Sequence, residues 1–130
     1  MSPVDIWGEP ISRYTRAQAL ADGVLVDATP LARECGFKYP VALTSAAWAA
    51  VVAVPSGVVP QDEQGRLWDV LVMLLHAIRS ARSDGREIRF GVHVRQDNRD
   101  RVPPLVRLKA LCGPGDEGEP VLAILLPNED

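Results

Sequence analysis

No apolar run in this chain is long enough to cross a membrane. The longest, residues 46–54 and 70–75, fall well short of the roughly 20 residues a spanning helix needs. The first residues carry neither the basic nor the apolar segment of a secretory leader, so a soluble, cytoplasmic protein is expected. Two cysteines, Cys35 and Cys112, are too few for a disulfide framework, and both read as small buried hydrophobes. Together with His76 and His93 they lack the short paired spacing of a structural zinc site, so no metal is expected. There is no glycine-rich phosphate loop and no recognisable nucleophile motif. Accordingly no catalytic residue and no cofactor is assigned. Internal repeats and low-complexity tracts are absent too.

What remains is the composition of a globular protein of 130 residues, long enough to bury a core without cross-links. The expected organisation is one α+β domain over residues 1–130. An extended N-terminal arm, residues 1–12, would be pinned by Ile6 and Trp7. Short helices and one long helix would pack on a C-terminal antiparallel sheet of three to four strands. Thr15-Arg-Ala-Gln18 spells a capping box, and Gly23 supplies the stop for a helix over residues 16–22. A brief strand at 24–26 follows. Thr29 as cap and Pro30 as first helical residue start a second helix that Gly36 ends. Residues 37–43 read as an irregular, partly extended connector. Thr44 or Ser45 caps an alanine-rich helix reaching about residue 54, which Pro55, Gly57 and Pro60 break.

The longest element is a helix over about 62–82, acidic at its start and basic at its end, as its dipole favours. Leu67, Val70, Leu71, Leu74, Leu75 and Ile78 form its core stripe, with Trp68, Val72 and Met73 widening it. Trp48 and Trp68 are assigned to core packing. Residues 87–95 then alternate, with Ile88, Phe90, Val92 and Val94 inward and Glu87, Arg89, His93 and Arg95 outward. Residues 105–112 alternate likewise, Arg107 and Lys109 facing out. A turn over 113–118 and a last strand at 121–126 complete a three-stranded meander, which the 24–26 strand could extend.

Charge is unevenly placed. Residues 79–109 carry a net of +5, residues 1–78 a net of −3 and residues 110–130 a net of −5. Since neighbouring strands lie about 5 Å apart, Arg89, Arg95, Arg107 and Lys109, with His93 between them, would form one cationic sheet face. That face is either solvated or the binding surface for an acidic partner protein. Nucleic acid is the less favoured ligand, because Phe90, the aromatic of these strands, falls on the core face and cannot stack bases. His76 lies two turns from Asp69 on the long helix and reads as a surface histidine. An alternative site would gather Tyr14, Asp27, Tyr39 and His76 from loops, as an enzyme of unnamed reaction. Self-association as a homodimer through the long helix is a third reading.

The stretch from Ile11-Ser-Arg-Tyr-Thr through Leu25-Val-Asp stands out, with Phe37-Lys-Tyr-Pro-Val-Ala-Leu-Thr, Leu67-Trp-Asp-Val-Leu and Val106-Arg-Leu-Lys-Ala-Leu-Cys-Gly-Pro-Gly-Asp-Glu-Gly-Glu-Pro. Together they resemble an uncharacterised family of small bacterial proteins carried on plasmids, integrative elements and phages. The resemblance implies no activity and no site residues. It implies a setting, that of accessory proteins of mobile elements, which act against host defences such as restriction and CRISPR. The expectation is thus a non-enzymatic binding protein, an inhibitor of a host defence complex.

Overall fold

A computed structural model describes residues 14–57, 62–81, 86–96 and 102–129. The expected arm over residues 1–12, the break at Pro60 and the end of the long helix at Arg82 lie outside them. In chain order the elements are α1 (Arg16–Ala21), β1 (Leu25–Asp27), α2 (Thr29–Cys35), β2 (Val41–Thr44), α3 (Ser45–Val51), α4 (Glu63–Ser80), β3 (Glu87–His93), β4 (Leu105–Pro114) and β5 (Pro120–Leu125).

Local chemistry accounts for the helix ends. Thr15 accepts from the Gln18 amide at 3.0 Å while Gln18 Oε1 accepts from the Thr15 amide at 2.8 Å, so the capping box of α1 is complete. A second cap comes from afar: the Asp116 carboxylate, in the β4–β5 turn, accepts from the Arg16 and Ala17 amides. α2 starts differently from the sequence expectation. Its first helical residue is Thr29, not Pro30, and Ala28 is the capping position without a side-chain bond. The Asp27 carboxylate takes over, accepting from the Thr29 amide and hydroxyl. Gly36 ends α2 at φ 112°, a left-handed conformation that costs glycine nothing. Asp62 caps α4 by accepting from Gly65.

The sheet corrects the expected three or four antiparallel strands. Among the described residues it has five, in the order β1-β2-β5-β4-β3, and the β2–β5 pair is parallel. The C-terminal meander is present: Phe90 faces Leu108 across β3–β4, and Ala110 faces Ile124 across β4–β5. The addition is β2, read from sequence as a connector. Val41, Ala42 and Leu43 are fully buried, so β2 shows no polar alternation that would mark it as a strand. β1 joins the sheet through β2, with Val26 opposite Leu43. The long helix sits mid-chain, between β2 and the meander.

Helices α2, α3 and α4 cover one sheet face. Ala32, Ala47, Val51, Leu67, Val70, Leu71 and Leu74 meet Val41, Leu43, Phe90, Val92, Leu108 and Ile124 in a continuous core. Trp48 packs against this core, but Trp68, expected inside, is 40% exposed, and Val72 and Met73 are similarly open. Successive helical residues lie roughly 100° apart, so these positions fall beside the Leu67–Val70–Leu71–Leu74 stripe and off the sheet.

The other sheet face is partly closed by the chain's own end. After β5 a turn brings back Glu129, whose Oε1 accepts from the Leu126 amide and from the Thr44 hydroxyl, each at 2.7 Å. The same Thr44 hydroxyl accepts from Ala47 and so caps α3. Thr44→Ala removes the helix cap and the Glu129 contact together. It is expected to cost about 1–2 kcal/mol, seen as a lower urea midpoint at unchanged slope. An unchanged midpoint contradicts the clamp.

Candidate functional site: a cationic face and the cleft at its end

The outward face of β3–β4 is set by register. Arg89 stands opposite Lys109, Gly91 opposite Arg107, and His93 opposite Leu105. Arg107 therefore lies diagonal to both Arg89 and His93. Gly91 leaves room that Leu105 takes: a Cβ at residue 91 would come within 2.8 Å of the Leu105 side chain. Leu105 is 47% exposed despite that contact, so an apolar spot sits among the cations.

The five residues expected to form this face have different fates. Arg89 and Arg107 are exposed. Arg89 Nε lies 2.8 Å from Glu87 Oε2, a surface pair of little energetic weight that a partner carboxylate can replace. His93 is exposed, and its Nδ1 lies 2.9 Å from the Pro103 carbonyl. A carbonyl can only accept, so Nδ1 carries the hydrogen and Nε2 is left to face outward chemistry. Lys109 departs from the expected solvated position. It points to the same side as Arg107 but is 8% exposed, and its ammonium donates to the Glu129 carbonyl. The returning C-terminal turn covers it, which strand alternation cannot foretell. Arg95 lies past the end of β3, half-buried, in the wall of a cleft.

That cleft, about 220 Å³, is lined by Val51, Arg66, Asp69, His93, Arg95 and Pro103 among others. It joins the end of α3, the first turns of α4 and the end of β3. Arg66 is 5% exposed. Its Nε donates to the Val51 carbonyl at 3.1 Å and its Nη1 to the Arg95 carbonyl at 3.0 Å. Nη2 is buried with no hydrogen-bond partner. Burial pulls this guanidinium below its usual range, opposed by the nearby Glu63 carboxylate. Beside it, the Gln96 amide donates to the Ala50 carbonyl at 2.7 Å, so two terminal carbonyls of α3 are held by side chains. Arg66 escapes a sequence reading because a polar residue in the first turns of a helix normally points to water. Asp69, noted from sequence only with His76, instead shares the cleft with Arg66, while His76 is exposed elsewhere on α4.

A second cavity, about 370 Å³, lies among α2, α3 and α4 and is lined by Asp27, Leu31, Glu34, Trp48, Glu63 and Leu67 among others. Neither cavity is lined by Tyr14, Tyr39 or His76. The Tyr14 hydroxyl donates to Asp22, which pushes its ionisation up, and Asp27 is engaged by Thr29. The alternative loop-built quartet is thus not gathered in either. Burial, with Glu34 adding to it, also raises the Cys35 thiol, which makes it a poor nucleophile at neutral pH. Among the described residues no three His, Cys, Asp or Glu side chains come together as a metal site, and no helix is long and apolar enough to cross a membrane.

Residues 6–130 match one protein family across nearly the whole chain. The chain belongs to the family of unknown function DUF6573. No curated protein and no solved structure matches it. For this DUF6573 protein the functional reading therefore rests on its own surface.

The different burial of the two neighbouring cations is testable. Lys109→Ala is expected to destabilise by about 1–3 kcal/mol, through the lost Glu129 contact and the uncovered stem. Arg107→Ala is expected to stay within about 0.5 kcal/mol of the parent. Equal effects in chemical denaturation contradict the burial of Lys109.

Proposed function

We propose that this DUF6573 protein is a non-enzymatic binding protein, and that the β3–β4 face is where it meets a protein partner bearing acidic groups. The observation that carries this reading is the exposed Leu105 seated over Gly91 and flanked by Arg89, Arg107 and His93. An apolar spot flanked by two arginines and a histidine suits a protein surface. There Leu105 loses water on contact, while the arginines steer approach and fix register. A nucleic-acid backbone has no use for the leucine, and base stacking calls for aromatics on this face.

The biological setting we infer is the one that the sequence resemblance implies. The protein acts as an accessory factor of a bacterial mobile element, and its partner is a component of a host defence system of the restriction or CRISPR kind. An inhibitor that works by occupying a surface calls for no catalytic group of its own.

The test compares the parent protein with an Arg89→Glu, Arg107→Glu double variant as baits in host lysate, at low and at moderate salt. A stoichiometric protein partner is expected at low salt, released at moderate salt and lost with the double variant. The melting temperature of the variant should stay within about 2 °C of the parent, because both residues are exposed. Retention of the same partner by the double variant overturns the surface assignment. Salt-sensitive recovery of nucleic acid in place of protein overturns the choice of partner.

A further inference from the structure

β3 is an outer strand of the sheet that the described residues form, and its free edge is regular. Its pairing with β4 runs without interruption from Glu87–Leu111 to His93–Leu105. Antiparallel pairs alternate between those that exchange backbone hydrogen bonds and those that do not. Two bonds at the ends of the ladder fix the phase. The Val94 amide donates to the Pro104 carbonyl at 3.0 Å, and the Cys112 amide to the Arg86 carbonyl at 2.9 Å. Ile88, Phe90 and Val92 are in step with these and bond to β4. Glu87, Arg89, Gly91 and His93 therefore aim their N–H and C=O groups away from β4. Among the described residues those groups have no backbone partner outside the ladder. A row of unpaired donors and acceptors of this kind is a template for another strand. The devices that block such an edge are lacking: β3 has no proline and no bulge, and its inward side chains, Ile88, Phe90 and Val92, carry no charge. The opposite edge, β1, is only three residues long.

The side chains beside this edge select what pairs with it. On an added strand, residues opposite Arg89 and Gly91 point to the same side as the exposed Arg107, Leu105 and His93. The Arg89–Glu87 contact is exposed and engages Nε of the guanidinium, whose terminal nitrogens extend beyond it. Gly91 brings no side chain of its own, and Arg107 stands directly across from it. We propose that β3 is extended by an antiparallel strand of the protein partner, a segment carrying carboxylates opposite Arg89 and Gly91. This rests on the proposed role of the β3–β4 face and supplies its mode of docking. The backbone ladder gives the affinity, and the alternate side chains give the choice of partner.

The probe is the heptapeptide Thr-Val-Glu-Val-Glu-Val-Lys, acetylated and amidated, titrated into the whole protein and followed by NMR. In antiparallel pairing its Thr faces His93, its two Glu face Gly91 and Arg89, and its Lys faces Glu87. The amides of those residues then point to β3, and the valine amides point away. Saturable shifts are expected at the Arg89, Gly91 and His93 amides, with hydrogen exchange slowed there. N-methylation of the two Glu amides is expected to weaken binding about tenfold or more, and N-methylation of two valine amides less than about twofold. Equal effects of the two methylations show docking by side chains alone, which overturns strand addition and leaves the partner surface standing. Absence of saturable shifts at millimolar peptide overturns it as well, while the lysate comparison reads the surface independently. A dimer in light scattering whose Arg89, Gly91 and His93 amides are protected without peptide assigns the edge to a second copy of this chain, and overturns the choice of occupant.

Discussion

The arrangement of α3, α4 and β3 depends on one buried side chain. Arg66 reaches from the first turns of α4 to the last carbonyl of α3 on one side and to the carbonyl just past β3 on the other. A helix leaves its final carbonyls unpaired, and burying them without donors costs about as much as the bonds would have contributed. The end of α3 can therefore be buried beside α4 and the segment just past β3 because α4 supplies a donor there, helped by Gln96. The charge that comes with that donor is the less convenient part. A guanidinium suits the task since it stays protonated under burial and forks in a plane, but it leaves one nitrogen over.

On the opposite sheet face a second tie does comparable work. Thr44 caps α3 and holds Glu129, and the Glu129 carbonyl takes Lys109. The C-terminal turn thus fastens β2, the start of α3 and β4 at one place. This explains why the cationic face is smaller than strand alternation suggests: its inner member is under the turn, and only Arg89, Arg107 and His93 stand in the open.

Much of the local punctuation was readable in the residues. The Thr15–Gln18 box, the Gly36 stop, the Asp62 start and the alternation along β3 and β4 all follow from chemistry confined to a few neighbours. β2 did not, because its burial on both faces erases the period-two signal, and its partner lies some eighty residues on. The burial of Lys109 and that of Arg66 were unreadable for a related reason. Each depends on a distant segment, residues 126–129 in one case and the ends of α3 and β3 in the other. Of the candidate site, alternation correctly put Arg89, His93 and Arg107 on one side, whereas the Arg66–Asp69 cleft emerged only from packing.

The parallel β2–β5 pair also has a meaning for how the chain is made. Val41, Ala42 and Leu43 are paired with residues 122–124, so during synthesis β2 has β1 on one edge and nothing on the other until β5 has emerged some eighty residues later. Closing a sheet across such a span sacrifices chain entropy before any contact rewards it, which slows folding. Meanwhile a short, wholly apolar strand with an open edge is a template for the wrong neighbour. The brevity of β2, four residues, and the helix that starts immediately after it keep that edge small during the wait.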